Sequence, residues 1–313
     1  MKQFKKMFIV MLTSLLVLSG CSLPGLGGGS DDPIRITSLD TSESQIMAHL
    51  VRLMIEHDSD GELNPTIINN LGASTLQHQA VLNGDANMSA VRYSGTEMTG
   101  PLEQEPITDP ELAMQTAKDI FSERFDQIYF DSYGFDNSYA FMVTKEIAEE
   151  YDLETTSDLE EFQDEFRFGV DTTWLQRPGD GYDGFTEHYG FSFSSISPMQ
   201  IGLVYDALDN GSLEVALGYT SDGRIAAYDL VVLEDDLQFF PPYDATPLAT
   251  KELLNEYPGL TDTMDKLDGI ITTDMMQQLN YEADGEGKEP AVVAEEFLEE
   301  NNYFEDTESG DQS

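Results

Sequence analysis

Three short β-type runs alternate with two helix-type runs between Ile34 and Val91, and few architectures satisfy that order. Ile34-Arg35-Ile36-Thr37-Ser38 alternates as a strand. Thr41 or Ser42 then caps a helix from about Glu43 to His57. Ile46, Met47, Leu50, Leu53 and Met54 give it one apolar face at helical spacing. Thr66 to Leu71 reads as a second strand, Ser74 to Leu82 as a helix closed by Asn83-Gly84, and Asn87 to Val91 as a third strand. Strands joined through helices run parallel, so the order predicts a parallel sheet with helices on its faces. Ligands of such sheets bind in the crevice at the carboxyl ends of the strands. Tyr93 and Thr96, in the loop leaving the third strand, fall there.

The rest of the chain repeats these signals. Asp109 to Phe125 predicts a helix opened by Asp109-Pro110, and an aromatic stretch runs from Ile128 to Val143. A new set of elements then begins: a capped helix from Ser157 to Phe166 and a short strand Phe168 to Asp171. Gly179 to Phe185 is a glycine-rich loop leading into a helix; Met199 to Asn210 follows as a helix, with strands at Leu213–Tyr219 and Asp229–Leu233. Pro241-Pro242 marks a rigid extended connection. Pro247 to Tyr257, Gly259 to Ile270, Thr273 to Glu282 and Glu289 to Glu300 read as helices. The expected organisation is a first lobe from residues 33–139, a second lobe from 140–242, a return to the first lobe over 243–304 and an acidic tail over 305–313. One lobe interrupted by another makes a cleft with two connecting segments, which suits hinge closure around a ligand.

Four tyrosines fall at strand ends or lobe crossings. Tyr139 closes the run Asp131-Ser132-Tyr133-Gly134-Phe135-Asp136-Asn137-Ser138-Tyr139. Tyr93 lies in Val91-Arg92-Tyr93-Ser94-Gly95-Thr96, Tyr219 in Leu217-Gly218-Tyr219-Thr220, and Tyr243 in Pro241-Pro242-Tyr243-Asp244. A lone tyrosine in a glycine-flanked loop is more often packing than binding. Four so placed suit a small cation, above all a quaternary ammonium, which offers no hydrogen bonds and is held by π faces and shape.

The charge excludes one class of partner. With 60 Asp+Glu against 15 Lys+Arg, the net charge of −45 leaves no basic stripe for nucleic acid. A carboxylate surface this dense suits a saline milieu, where screening relieves self-repulsion; a surface kept acidic for solubility is the blander reading.

The N-terminus reads as an address. Lys2, Lys5 and Lys6 precede an apolar run from Met7 to Leu18, too short to span a bilayer comfortably. The run ends at Leu18-Ser19-Gly20-Cys21, which resembles the bacterial lipoprotein cleavage box. Residues 1–20 are expected to be a signal peptide, Cys21 the lipidated membrane anchor, and 21–32, with its glycines, a flexible tether. Cys21 is the only cysteine, so no internal disulfide forms.

Other chemistries find little support. Asp131, Asp136, Asp171, Asp180, Asp222 and Asp244 allow a carboxylate pair for glycoside hydrolysis, but among 60 acids such groupings arise by coincidence. A secreted acid-base hydrolase is nonetheless the alternative function, and a cell-wall adhesin a third. His49, His57, His78 and His188 lack metal spacing, no cofactor or phosphate-loop motif is present, and Trp174 reads as a core or cleft-edge residue.

Long segments carry a resemblance. Ala90-Val91-Arg92-Tyr93-Ser94-Gly95-Thr96, Asp131 to Asn137, Pro198-Met199-Gln200-Ile201-Gly202-Leu203-Val204-Tyr205-Asp206-Ala207, Thr220 to Ile225 and Phe239 to Asp244 are the matching runs. By them the chain resembles the extracellular substrate-binding lipoproteins of osmoprotectant ABC importers, the glycine betaine/carnitine/choline-binding family. The resemblance implies a two-lobed periplasmic-binding-protein-like α/β fold of type II, no enzyme activity, and permease subunits in the membrane as partners. It implies that Tyr93, Tyr139, Tyr219 and Tyr243 form the cage, and it sets Asn137 beside the cage, within reach of a ligand carboxylate. Thr96 matches a position where choline-restricted relatives carry Asp. Leu39 stands where close relatives have a carboxylate-binding Gln, leaving Asp40, Thr41 or Ser42 to substitute.

Overall fold

The computed structural model describes residues 33–177 and 179–304. The first sheet is built from β1 (Arg35–Leu39), α1 (Ser42–Asp58), β2 (Thr66–Leu71), α2 (Ser74–Leu82) and β3 (Met88–Tyr93), followed by α3 (Ser94–Thr99), α4 (Pro110–Arg124) and β4 (Gln127–Tyr129). The second comprises β5 (Tyr139–Thr144), α5 (Lys145–Tyr151), a 3-10 turn at Thr156–Phe162, β6 (Arg167–Asp171), α6 (Thr172–Leu175), α7 (Tyr182–Tyr189), β7 (Ser195–Met199), α8 (Ile201–Asp209), β8 (Val215–Tyr219), α9 (Gly223–Ala227) and β9 (Leu230–Val232). The chain then returns as β10 (Ala245–Thr250), α10 (Lys251–Glu256), α11 (Gly259–Asp265), α12 (Thr273–Asn280), a π turn at Tyr281–Gly285 and α13 (Pro290–Glu300).

The strand orders are β2-β1-β3-β10-β4 and β7-β6-β8-β5-β9. In each sheet the first three strands are parallel and the fourth runs antiparallel to both neighbours. That fourth strand is the one that has just crossed from the other sheet. The crossings are tied together where Asp136 and Asp244 form an antiparallel bridge and the Asn137 amide donates to the Tyr243 carbonyl (3.1 Å).

Each sheet is buried on both faces, the arrangement parallel strands require. On the first sheet, Ile46, Leu50 and Met54 of α1 pack with Ala294 and Leu298 of α13 on one side. Val81, Phe121 and Leu248 fill the other. The second sheet has an aromatic core around Phe141, Phe168, Phe185 and the fully buried Trp174, and an aliphatic one around Val204, Leu208 and Leu213.

Two strands differ from the sequence expectation. Ala245–Thr250 is β10, not the start of a helix, and the helix begins only at Lys251, where Thr250 Oγ1 accepts from the Leu253 amide (3.3 Å). Pro247 misled the reading because proline interrupts a central strand; here the register with β3 shifts between Thr246 and Leu248, so the missing N–H falls at an irregularity. Ser195–Met199 is strand β7 although it contains Pro198, which an edge strand tolerates.

Candidate functional site

A cleft of ≈ 880 Å³ lies at the ends of the strands of both sheets, where β1, β3, β5 and β8 meet the segment before β10. Tyr93, Thr96, Asn137, Tyr139, Tyr219 and Tyr243 all line it. Tyr93 is the last residue of β3 and Thr96 lies on α3 immediately after. Tyr139 opens β5 and pairs directly with Tyr219 at the end of β8. Their rings lie 4.9 Å apart between centroids, and the hydroxyls 3.3 Å. Tyr243 comes two residues before Ala245, which pairs with Tyr93.

Gly95 makes room for the Tyr243 ring, and Gly218 for Tyr205 behind Tyr219. A Cβ on Gly95 would stand 2.7 Å from the Pro242 carbonyl oxygen and 3.1 Å from the Tyr243 ring. A Cβ on Gly218 would collide with Tyr205, whose hydroxyl accepts the Tyr219 amide at 2.8 Å and so fixes the end of β8.

Burial raises the Tyr139 phenol well above the ordinary tyrosine range, with Tyr219 adding to it. Burial also raises Tyr243, helped by Asp180 and opposed by Arg177. Tyr139 and Tyr243 therefore present neutral phenols and intact π faces at any physiological pH.

Four further residues are not singled out by the sequence. Glu43, in the first turn of α1, is 4% exposed and lines the cleft. It accepts from the Tyr93 hydroxyl, from Asn137 Nδ2 (2.9 Å) and from Asn280 Nδ2 (3.0 Å). Its place just past the end of β1, at the helix N-terminus, was the available signal. Asn280 also donates to the Ser221 carbonyl (2.8 Å), and Gln277 Nε2 to the Thr220 carbonyl (2.7 Å), linking α12 to the loop after β8. Arg177 lies with its guanidinium carbon 5.1 Å from the Tyr139 ring centroid and pairs with Asp180 at 3.1 Å.

The cleft's charges are sorted by their partners. Arg224 is held by both oxygens of Asp222 (2.8 and 2.6 Å) and lies over Tyr205. Arg177 donates to Asp180 through Nη1 (3.1 Å) and also interacts with Tyr139 and Tyr243, so its guanidinium, with five N–H donors, stands among the cleft tyrosines. Leu39 lines the cleft with Asp40, Thr41 and Ser42. Thr41 caps α1 through the Ser44 amide (3.3 Å), and the Ser42 hydroxyl donates to Asp284 (2.5 Å). Of the aspartates weighed for hydrolysis, Asp131 is an exposed partner of Lys118. Asp136 and Asp244 face each other at the crossing, where burial, then Asp136, raises the Asp244 carboxyl.

Two α/β sheets sharing an aromatic cleft define a solute-binding protein. Residues 32–300 match the family described as the substrate binding domain of ABC-type glycine betaine transport system, and the chain belongs to that family of solute-binding transport proteins. It is 53% identical over 305 residues to the carnitine transport binding protein OpuCC of Listeria monocytogenes, covering 97% of this chain and 98% of that one. It is 29% identical over 301 residues to the ergothioneine transport permease/ergothioneine binding protein EgtU of Helicobacter pylori, across 95% of this chain and 53% of that longer protein. A crystal structure of a glycine betaine/carnitine/choline ABC transporter is similar with a TM-score of 0.85 and 60% identity, over 87% of this chain and 100% of that chain. The two-lobed binding-protein fold expected from the sequence is shared with that crystal structure.

Proposed function

We propose that the chain captures quaternary-ammonium osmoprotectants, with glycine betaine, carnitine and choline as the candidate ligands, and delivers them to ABC permease subunits. The observation that carries this reading is the convergence of Tyr93, Tyr139, Tyr219 and Tyr243 on one cleft that also holds a guanidinium. The trimethylammonium head packs against the tyrosine faces. The carboxylate of a betaine reaches Arg177, which takes over the role of the Gln that Leu39 replaces, while Thr96 and Asn137 border the ligand. A relative named as both permease and binding protein supports a permease partner.

The working bodies are lobe 1 (residues 33–139 and 243–304), which carries Tyr93 and Tyr243 and ends its first part at Tyr139 on the crossing, and lobe 2 (140–242), which carries Tyr219, around a cleft that closes on the ligand. Residues 1–20 act as a signal peptide, and Cys21 anchors the tether 21–32 at the extracellular face of the cell membrane through more than one acyl chain. These lie outside the described residues, among which no helix is long and apolar enough to cross a membrane.

Calorimetry with glycine betaine, carnitine and choline tests the ligand class; heat from none of them, beside turnover of a glycoside, overturns it. Cell fractionation of a Cys21→Ser variant tests the anchor, which lies elsewhere if the processed variant stays on the membrane.

A further inference from the structure

Glu43 is a buried carboxylate whose three donors, Tyr93, Asn137 and Asn280, are all neutral. A charge sealed in this way is costly, and only the N-terminal end of α1, with these neutral donors, offsets it. It lines the cleft and meets one ring of the proposed cage at that ring's hydroxyl. Burial, reinforced by Glu43, holds the Tyr93 phenol far above its ordinary range, so the proton stays on Tyr93 and is shared in a hydrogen bond to the carboxylate.

Resting on the proposed function above, we infer that Glu43 is the positioning residue that selects a cation: its carboxylate polarises the Tyr93 phenol and makes that ring the most electron-rich wall of the cage. A phenol donating to a carboxylate carries extra electron density on oxygen, and conjugation spreads it over the ring face. The face holds a cation through that density, so the polarised ring binds a trimethylammonium head more tightly than an unassisted tyrosine does. The same negative charge raises the preference for a cationic head over an uncharged head of equal shape. Among the four tyrosines the contact is particular to Tyr93: Tyr139 and Tyr219 share their hydroxyls with each other, and Tyr243 is influenced by Arg177.

Glu43 also reaches across the cleft. The Nδ2 group of Asn280 donates both to Glu43 and to the Ser221 carbonyl that follows β8. A merely structural role for Glu43 would therefore weaken every ligand alike. The discriminating measurement is the ratio of affinities for glycine betaine and for tert-butylacetate, its carbon isostere with an uncharged head, in the full chain and in Glu43→Gln. The ratio is expected to fall about tenfold in Glu43→Gln, and similarly in Tyr93→Phe, which removes the donor and keeps the ring. In the double variant the two losses should not add, because both remove one contact.

A second readout needs no ligand. The ultraviolet difference spectrum of Glu43→Gln should carry a shifted tyrosine band that vanishes when Tyr93 is already Phe. Equal losses for both ligands in Glu43→Gln, additive losses, or an unshifted band overturns the inference. If the unaltered protein binds no quaternary ammonium the functional reading fails instead, and the band still decides whether Glu43 polarises Tyr93.

Discussion

Tyr139 and Tyr219 are direct cross-strand partners, the first residue of β5 facing the last residue of β8. The first sheet repeats this relationship: Tyr93 ends β3, and Tyr243 stands just ahead of β10, the strand that pairs with β3. Both sheets have three parallel strands and then an antiparallel crossing strand, and the tyrosines occupy matching ends in each. The proposed cage is thus two halves on two sheets. A ligand touching all four rings would draw the halves together and so favour closure.

If π faces hold the ligand, Tyr→Phe at Tyr139, Tyr219 and Tyr243 should cost less glycine betaine affinity than Tyr→Ala. Phenylalanine keeps the quadrupole and the shape, whereas each Ala variant should lose about 0.5–2 kcal/mol of binding. A titration of the six variants decides it. Equal losses in the Phe and Ala pair at each position mean that hydroxyls, not faces, do the holding. Tyr93→Phe is set apart because Glu43 takes its hydroxyl.

Arg177→Gln should separate ligands by their second functional group. A guanidinium donates charge-assisted hydrogen bonds of about 1.5–3 kcal/mol to a carboxylate. Glycine betaine and carnitine should therefore weaken by about tenfold or more. Choline, with a hydroxyl and no carboxylate, should bind as well or better, since a cation leaves the cleft. Calorimetry on the three ligands checks the order; an equal drop for all three would show Arg177 acting on the cleft's shape alone.

Thr96→Asp should narrow the site toward choline. Thr96 is half-buried on α3, lines the cleft and adds no charge there. A carboxylate in its place repels the carboxylates of glycine betaine and carnitine and spares choline. Unchanged glycine betaine affinity in this variant would mean that residue 96 does not face the ligand.

The fold's outline was legible because hydrophobic periodicity and caps mark α1 and β1 to β3 without reference to anything distant. β10 was not, because its identity depends on pairing with Met88 to Tyr93, more than 150 residues away in sequence, which outweighs the local signal of Pro247. At the site, tyrosines beside glycine, proline and strand ends could be picked out one by one. Glu43 could not, since 60 acidic residues make any one of them inconspicuous and only its burial among Tyr93, Asn137 and Asn280 distinguishes it. Arg177 was hidden for a related reason: its placement over Tyr139 comes from the turn between α6 and α7.

Replacing Glu97 by Gln should destabilise the protein without touching the ligand. Arg92 and Glu97 are both fully buried, with Arg92 Nε donating to Glu97 Oε1 at 2.8 Å and Nη2 to Oε2 at 2.5 Å. Removing one charge leaves the guanidinium buried and unpaired, at a cost of about 3–5 kcal/mol. Chemical denaturation should register that loss as a lower midpoint at constant slope. A loss under about 1 kcal/mol would mean that water reaches Arg92 and that the pair is not sealed.

Salt should act in the opposite direction, and on the surface. The imbalance of 60 Asp+Glu against 15 Lys+Arg leaves most carboxylates without a partner, and exposed pairs such as Lys145–Asp229 contribute little. At 0.01 M salt the Debye length is about 30 Å, so carboxylates repel across much of a lobe; at 1 M it is about 3 Å and only contacts remain. The unfolded chain spreads the same charge over a larger volume, so screening favours the folded state. Melting temperature should therefore climb by at least a few degrees between these limits, each kcal/mol being worth about 2–4 °C in a chain of this size or somewhat smaller. Chloride salts of sodium and potassium should act alike, because the effect is screening and not a site. Sucrose at equal osmolarity separates screening from exclusion of solute from the surface, which also stabilises folded proteins. If sucrose matches the salts, or if the salt profile is flat, the acidic surface is not an adaptation to saline surroundings.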